Sequence, residues 1–174
     1  MRVSAGAPLI AMRLALAATV LAFVPGLLEQ FEAPKAEVVR VCGLGVLALA
    51  LASGRRDWRG WHPLDSAVVL WLAVELLATV VSVAPAISVL GSPAQREGLL
   101  TSLGLAGLYA AARRSAGEIR SVGGTLDVLV IAACLASLYA LAQAAGLDPW
   151  PWRGTAEYGS GTVFRRPFGT LGHP

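Results

Sequence analysis

Charge is scarce in this chain. Asp, Glu, Lys and Arg together make up 14% of its 174 residues, against about 25% in a soluble domain of ordinary composition. Soluble fold classes are excluded at that level. Cysteine occurs only at Cys42 and Cys134, and both sit inside apolar stretches. A disulfide scaffold is therefore excluded, and no Cys/His spacing of the zinc-site type is present. Lysine is nearly missing: Lys35 is the single lysine beside 13 arginines. No internal repeat and no Gly/Ser linker marks a second domain. The formal net charge is +3, and nucleic acid is not the expected partner, because arginine confined to short loops between apolar blocks is the pattern that orients a chain in a membrane.

What is abundant is hydrocarbon. Hydrophobic residues account for 56% of the chain, gathered in five apolar blocks at residues 9–28, 38–53, 66–85, 98–112 and 126–146. A helix needs about 20 apolar residues, within a range of about 17–25, to cross a bilayer. Blocks one, three and five meet that length. Blocks two and four reach it only if flanking residues join the helix and long side chains snorkel. The expected fold is all-α: a polytopic transmembrane helical bundle of about five spans over residues 1–146, followed by a polar segment at 147–174. The first block is read as an uncleaved span rather than a signal peptide. Arg13 interrupts it, and no small-x-small cleavage site follows.

Arginine placement predicts the orientation. Arg2, the loop with Arg55, Arg56 and Arg59, and the loop with Arg113, Arg114 and Arg120 fall on one side of such a bundle. Lys35 and Arg96 fall on the other. The positive-inside rule then puts the N-terminus in the cytoplasm and, with an odd number of spans, residues 147–174 on the outer face.

A few residues are candidates for chemistry. Glu75 lies near the middle of the third block, where a carboxylate at bilayer depth costs roughly 2.5–3.5 kcal/mol; it should face the bundle interior. It is either a packing residue held by a hydrogen bond or an acid on a proton or substrate path. Arg13 and Arg40 lie a few residues inside the ends of blocks one and two and are expected to snorkel to the interface. Arg40, Lys35 and Arg96 would all be on the outer side, where a lipid head group or an anionic lipid-linked substrate would be met. In the polar segment, Trp150 and Trp152 fit an interfacial aromatic belt. Arg165 and Arg166 offer the permanently charged donors that phosphates prefer, and the backbone of residues 169–172 could add an anion-binding nest.

The motifs "APK" at 33–35, "SVAPAISVLGSPAQREGLL" at 82–100, "SLYALAQAAGLDPW" at 137–150 and "RRPFGTLGHP" at 165–174 together resemble the N-terminal part of the O-antigen ligase / O-antigen polymerase family. The last motif is the most specific. In the family it usually reads Arg-x-x-Gly-Thr-x-Gly-Asn-Pro-Asn, and here His173 stands at the first Asn. The resemblance implies a bacterial inner-membrane glycosyltransferase. It would move a glycan from an undecaprenyl-diphosphate carrier to lipid A-core, polysaccharide or protein at the periplasmic face, with no metal or soluble cofactor. It also implies further spans after residue 174, and a large periplasmic loop there with the essential His and Arg residues. The catalytic base therefore has no counterpart in this chain, and the 174 residues are expected to be inactive alone. Two other readings stay open on the residues: part of a small-solute, bicarbonate-like transporter with Glu75 on its path, and a non-enzymatic membrane protein.

Overall fold

The computed structural model describes residues 6–25, 27, 30–52, 60–92, 96–115, 119–148, 150 and 169–170. Among them every regular element is a helix: α1 (Ala7–Leu21), α2 (Glu32–Ala52), α3 (Pro63–Val80), α4 (Pro85–Leu90), α5 (Leu99–Ser115) and α6 (Ile119–Ala144).

Local chemistry sets the boundaries, and several differ from the apolar blocks. α1 stops at Leu21 rather than running to residue 28. Its C-cap, Ala22, is already extended, and Pro25 follows, which disfavours helix at the residue before it. α2 begins at Glu32, six residues ahead of its block. Glu32 and Pro34 fall in its first turn, where an acid meets the positive end of the helix dipole and proline sacrifices no internal hydrogen bond. Lys35 is therefore helical. α3 opens on a reciprocal cap: the His62 ring accepts from the Leu64 backbone N–H at 3.2 Å, and Asp65 accepts from the His62 N–H at 2.7 Å. Pro63 occupies the first helical position. The block ends early, at Val80, because Pro85 starts the separate short α4. α5 closes with Arg113 and Arg114 in its last turn, where cations complement the helix dipole. α6 starts seven residues before its block.

The centre is α1, α2 and α5, packed around Met12, Ala15, Val46, Leu108 and Ala111. α2 and α5 run in the same direction, since Arg40 reaches Thr101 near their starts and Arg114 reaches the Ala50 carbonyl near their ends. Their contact is backbone on backbone. A Cβ added to Gly43 would lie 2.4 Å from the Gly104 carbonyl oxygen, one on Gly104 would lie 2.5 Å from that of Val39, and one on Gly107 would lie 2.2 Å from that of Gly43. Small residues that let two helices touch in this way are how apolar helices gain contact where burial alone gives little attraction. α6 lies along α1, and α3 along α5 with α4 beside it.

α3 and α6 are the two helices long and apolar enough to cross a membrane, and only 11% of each apolar window is buried inside the protein. Their outer faces carry Leu70, Leu77 and Val80 on α3 and Val130, Ile131 and Leu141 on α6, each at least 60% exposed. α1 is apolar but shorter.

The glycine contact predicts a sharp contrast. Gly104→Ala forces α2 and α5 apart and should destabilise the fold by about 1–3 kcal/mol. Gly45→Ala, where nothing lies within 4 Å of the added methyl, should stabilise it by about 0.5–1 kcal/mol through helix propensity. Unfolding of the purified variants followed by circular dichroism checks this, and equal effects would contradict the packing.

Candidate functional site: the arginine clamp

The densest polar cluster joins α2 to the link between α4 and α5. Glu37 and Arg40 sit one helical turn apart on α2. Arg40 is 5% exposed, and its guanidinium is fully engaged. Nε donates to Thr101 Oγ1 at 2.8 Å and Nη1 to Glu37 Oε1 at 2.7 Å. Nη2 donates to two backbone carbonyls, those of Leu90 and of Arg96, the latter at 2.6 Å. Thr101 Oγ1 in turn donates to the same Arg96 carbonyl at 2.8 Å. The expectation that Arg40 snorkels outward is thus overturned. The α4–α5 link turns its carbonyls toward α2, and a buried carbonyl without a donor is costly. The link folds this way because Gly91 sits at φ 78°, a conformation that glycine adopts freely. A Cβ there would lie 2.4 Å from the carbonyl carbon of Arg96.

Arg96 completes the cluster. It is itself at φ 55°, and its Nη1 is 3.4 Å from the same Glu37 oxygen. One carboxylate is shared by two guanidiniums, which leaves a single net positive charge. Arg40 is buried, so that charge reaches solvent through Arg96, whose side chain is 40% exposed. Arg96 Nε is buried and has no hydrogen-bond partner among the described residues. The arrangement can attract an anion. It pairs no nucleophile with a base, and among the described residues no group of His, Cys, Asp or Glu could hold a metal ion.

The other candidates distribute as follows. Lys35 is half-buried on α2, roughly 200° round the helix from Glu37, and is not part of the cluster. Arg165 and Arg166 lie outside the described residues, as do Arg2, Arg55, Arg56, Arg59, Trp152, Gly172 and His173. Glu75 is half-buried on the α3 stripe formed by Asp65, Val68, Leu72, Glu75 and Thr79. Its backbone carbonyl accepts from Thr79 Oγ1 at 2.8 Å. Arg13 also turns inward rather than snorkelling. Its Nη2 donates to the Ser121 carbonyl at 2.8 Å and its Nε to Thr125 Oγ1 at 3.2 Å, tying α1 to the start of α6.

Two polar groups were not singled out in the sequence. At the far end of the bundle from Arg40, Asp65 Oδ1 accepts from Tyr109 Oη at 2.6 Å and from Arg113 Nε at 3.2 Å, locking α3 to α5. Its one sequence signal is the capping pattern His62-Pro63-x-Asp65. At the same end as Arg40, Gln143 near the close of α6 donates from Nε2 to Asp148 Oδ2 at 2.9 Å and accepts on Oε1 from the Gly169 N–H at 2.7 Å. Thr170 Oγ1 donates to the Val20 carbonyl at 2.9 Å, satisfying one of the carbonyls left open at the end of α1. Phe23 stacks on Tyr139 beside them at 5.3 Å.

Comparison with protein-family models, with curated proteins and with solved structures finds no match for this chain.

If Arg40 is the clamp, Arg40→Leu strands the Leu90 carbonyl and leaves the Arg96 carbonyl to Thr101 alone, and the stranded carbonyl should cost about 1–3 kcal/mol. Arg40→Lys should recover only part of this, because an ammonium cannot fork to carboxylate, hydroxyl and carbonyls at once. Chemical unfolding of both variants tests it, and a lysine variant as stable as the parent would contradict the geometry.

Proposed function

We propose that this chain is a multi-pass helical protein of the bacterial inner membrane. On this reading it supplies the N-terminal spans of a glycan ligase or polymerase that acts on undecaprenyl-diphosphate-linked glycan at the periplasmic face. Three features support the reading. The exposed faces of α3 and α6 are mostly hydrocarbon, with Asp127 the one exposed carboxylate on α6, and lipid-facing surfaces are predominantly apolar. Of the arginines in the short loops, Arg113, Arg114 and Arg120 belong to the end of α5 and the start of α6, the end that the positive-inside rule assigns to the cytoplasm. The opposite end carries the Arg40–Arg96–Glu37 cluster with its surplus positive charge.

The observation that carries the proposal is that the Gly169–Thr170 pair of the family-like "RRPFGTLGHP" motif is anchored at that same opposite end, on Gln143 and Val20. Arg166 is three residues before Gly169 in the chain. Glycan transfer breaks the bond between the sugar's anomeric carbon and the carrier diphosphate, and the departing diphosphate needs fixed positive charge beside it. The arginines of this end would provide it. The base that takes the acceptor's proton is expected beyond residue 174, so the chain binds the carrier without turning it over.

The test is photo-crosslinking of the 174-residue protein in proteoliposomes with a photoactivatable undecaprenyl diphosphate. Labelling should be displaced by undecaprenyl diphosphate and not by an equal amount of phosphatidylglycerol. Replacing both Arg165 and Arg166 with Ala should weaken it at least about tenfold, as loss of charged hydrogen bonds predicts. Labelling that phosphatidylglycerol displaces equally well, or that the double substitution leaves unchanged, would refute the proposal.

A further inference from the structure

We infer that Arg13, Arg120 and Ser121, at the end of the bundle where α1 and α6 begin, hold the phosphate of an anionic phospholipid. The inference rests on the membrane orientation proposed above for the leaflet that supplies the lipid, and on the geometry of α1 and α6 for the site. Arg13 is set back from the start of α1, yet its guanidinium lies on the first turns of α6. Nη2 donates to the Ser121 carbonyl at 2.8 Å and Nε to Thr125 Oγ1 at 3.2 Å. A Cβ added to Gly124 would lie 2.7 Å from Nη2 and 3.0 Å from Cζ, so the fork fills the space that a side chain there would take. Both acceptors are neutral, and Nη1 makes neither bond. None of the ion pairs among the described residues includes Arg13 or Arg120. A half-buried guanidinium without a counter-charge is costly where hydrocarbon takes over from water.

Two further groups adjoin the fork. Ser121 is 6% exposed, and its Oγ is buried with no hydrogen-bond partner among the described residues. It belongs to the side of α6 that Ala132 and Ala136 bury about three and four turns on, the side on which the Arg13 fork lies. Arg120 is exposed and stands one turn before Gly124, on the same ridge. One acid is near, Asp127, a turn beyond Gly124 and exposed. It forms an ion pair with neither arginine. Glu118 lies outside the described residues. Two cations against Asp127 leave one positive charge, beside a hydroxyl that has nothing to bond and a helix start whose first N–H groups lack intrahelical acceptors.

A phosphate answers this set, because it brings permanent negative charge and several acceptor oxygens to guanidinium and hydroxyl donors. The surroundings favour a phosphate that carries acyl chains. Beyond the charged level the exposed surface turns to hydrocarbon, with Ile10 and Leu14 on α1 and Ile131 and Leu138 on α6. Acyl chains would lie along these residues, whereas free phosphate would gain nothing from them. Basic recesses between spans on the cytoplasmic side are where anionic head groups bind.

The probes are phosphatidylglycerol, phosphatidylcholine and inorganic phosphate, each titrated into the purified 174-residue chain in neutral detergent while the thermal midpoint is read. Phosphatidylglycerol should raise the midpoint in proportion to its binding, and the other two should not. Ser121→Ala removes no hydrogen bond made by that side chain to the protein. Without lipid its midpoint should therefore match or exceed the parent's. Its affinity for phosphatidylglycerol should nonetheless fall about tenfold, the effect of losing a hydrogen bond to a charged group. Arg120→Gln should weaken binding at least as much, with the lipid-free midpoint unmoved.

Equal responses to phosphatidylglycerol and phosphatidylcholine would overturn the site. Inorganic phosphate that stabilises as well as phosphatidylglycerol would overturn the lipid assignment. An affinity left unchanged by either substitution would overturn the placement at Arg120 and Ser121. Binding in detergent does not depend on which leaflet this end faces. Lipid binding as expected, together with position 120 accessible from outside intact cells, would overturn the orientation and leave the site standing.

Discussion

The contact on which the rest of this structure depends is the one between the bare backbones of α2 and α5. Gly43, Gly104 and Gly107 leave backbone facing backbone at the crossing, so the two helices approach until their main chains touch. That closeness is what places the Arg40 guanidinium within reach of Thr101 and the α4–α5 link, and Arg114 within reach of the last turn of α2. With side chains at those glycines the helix axes would separate by ångströms, and neither arginine would span the gap. The core that results is thin, made of Ala, Val, Met and Leu. α3 and α6 stay at its margins with their apolar faces uncovered, which suits a hydrocarbon surround better than water.

Arginine does two kinds of work here. Arg13, Arg40 and Arg114 reach backbone carbonyls on a neighbouring element, and Arg113 reaches both Asp65 on α3 and the Gly60 carbonyl. A guanidinium is suited to this because it remains charged and offers five donors in a fixed plane. Around Glu37 the same chemistry leaves one charge unneutralised. The staple that closes the α4–α5 link thereby also leaves a local positive charge at Arg96, at an end of the bundle that also carries Glu32, Glu97 and Asp148. Structure and proposed function meet in that surplus: the cation that holds the link is part of the field an anionic carrier would feel.

Much of the architecture was legible in the sequence. The five apolar blocks became five long helices, and low charge with no strand-like alternation pointed to an all-helical chain. The boundaries were harder, because they follow capping rather than hydropathy. Glu32-Ala33-Pro34-Lys35 looks like a polar loop, yet it is a sound first turn. His62-Pro63-x-Asp65 starts α3 before the hydrocarbon does. Pro85 splits off α4. The arginines inside α1 and α2 were visible as charges expected to snorkel to the interface, but their buried partners were not. The Ser121 carbonyl and the Leu90 and Arg96 carbonyls come from elements far away in sequence, and a backbone carbonyl carries no residue signature. Gln143 was hidden for the same reason, as its partners are an acid five residues on and a main-chain amide 26 residues on.

The central claim is that the two ends of this bundle lie on opposite sides of a membrane, with the Arg40–Arg96 end outward. Its most direct measurement uses a version with Cys42 and Cys134 replaced by Ala and one new cysteine, at exposed Glu97 or at exposed Arg120, expressed in spheroplasts. A membrane-impermeant maleimide should label the cysteine at 97 in intact cells and the one at 120 only after permeabilisation. Labelling of position 120 in intact cells, with 97 protected, would contradict the claim.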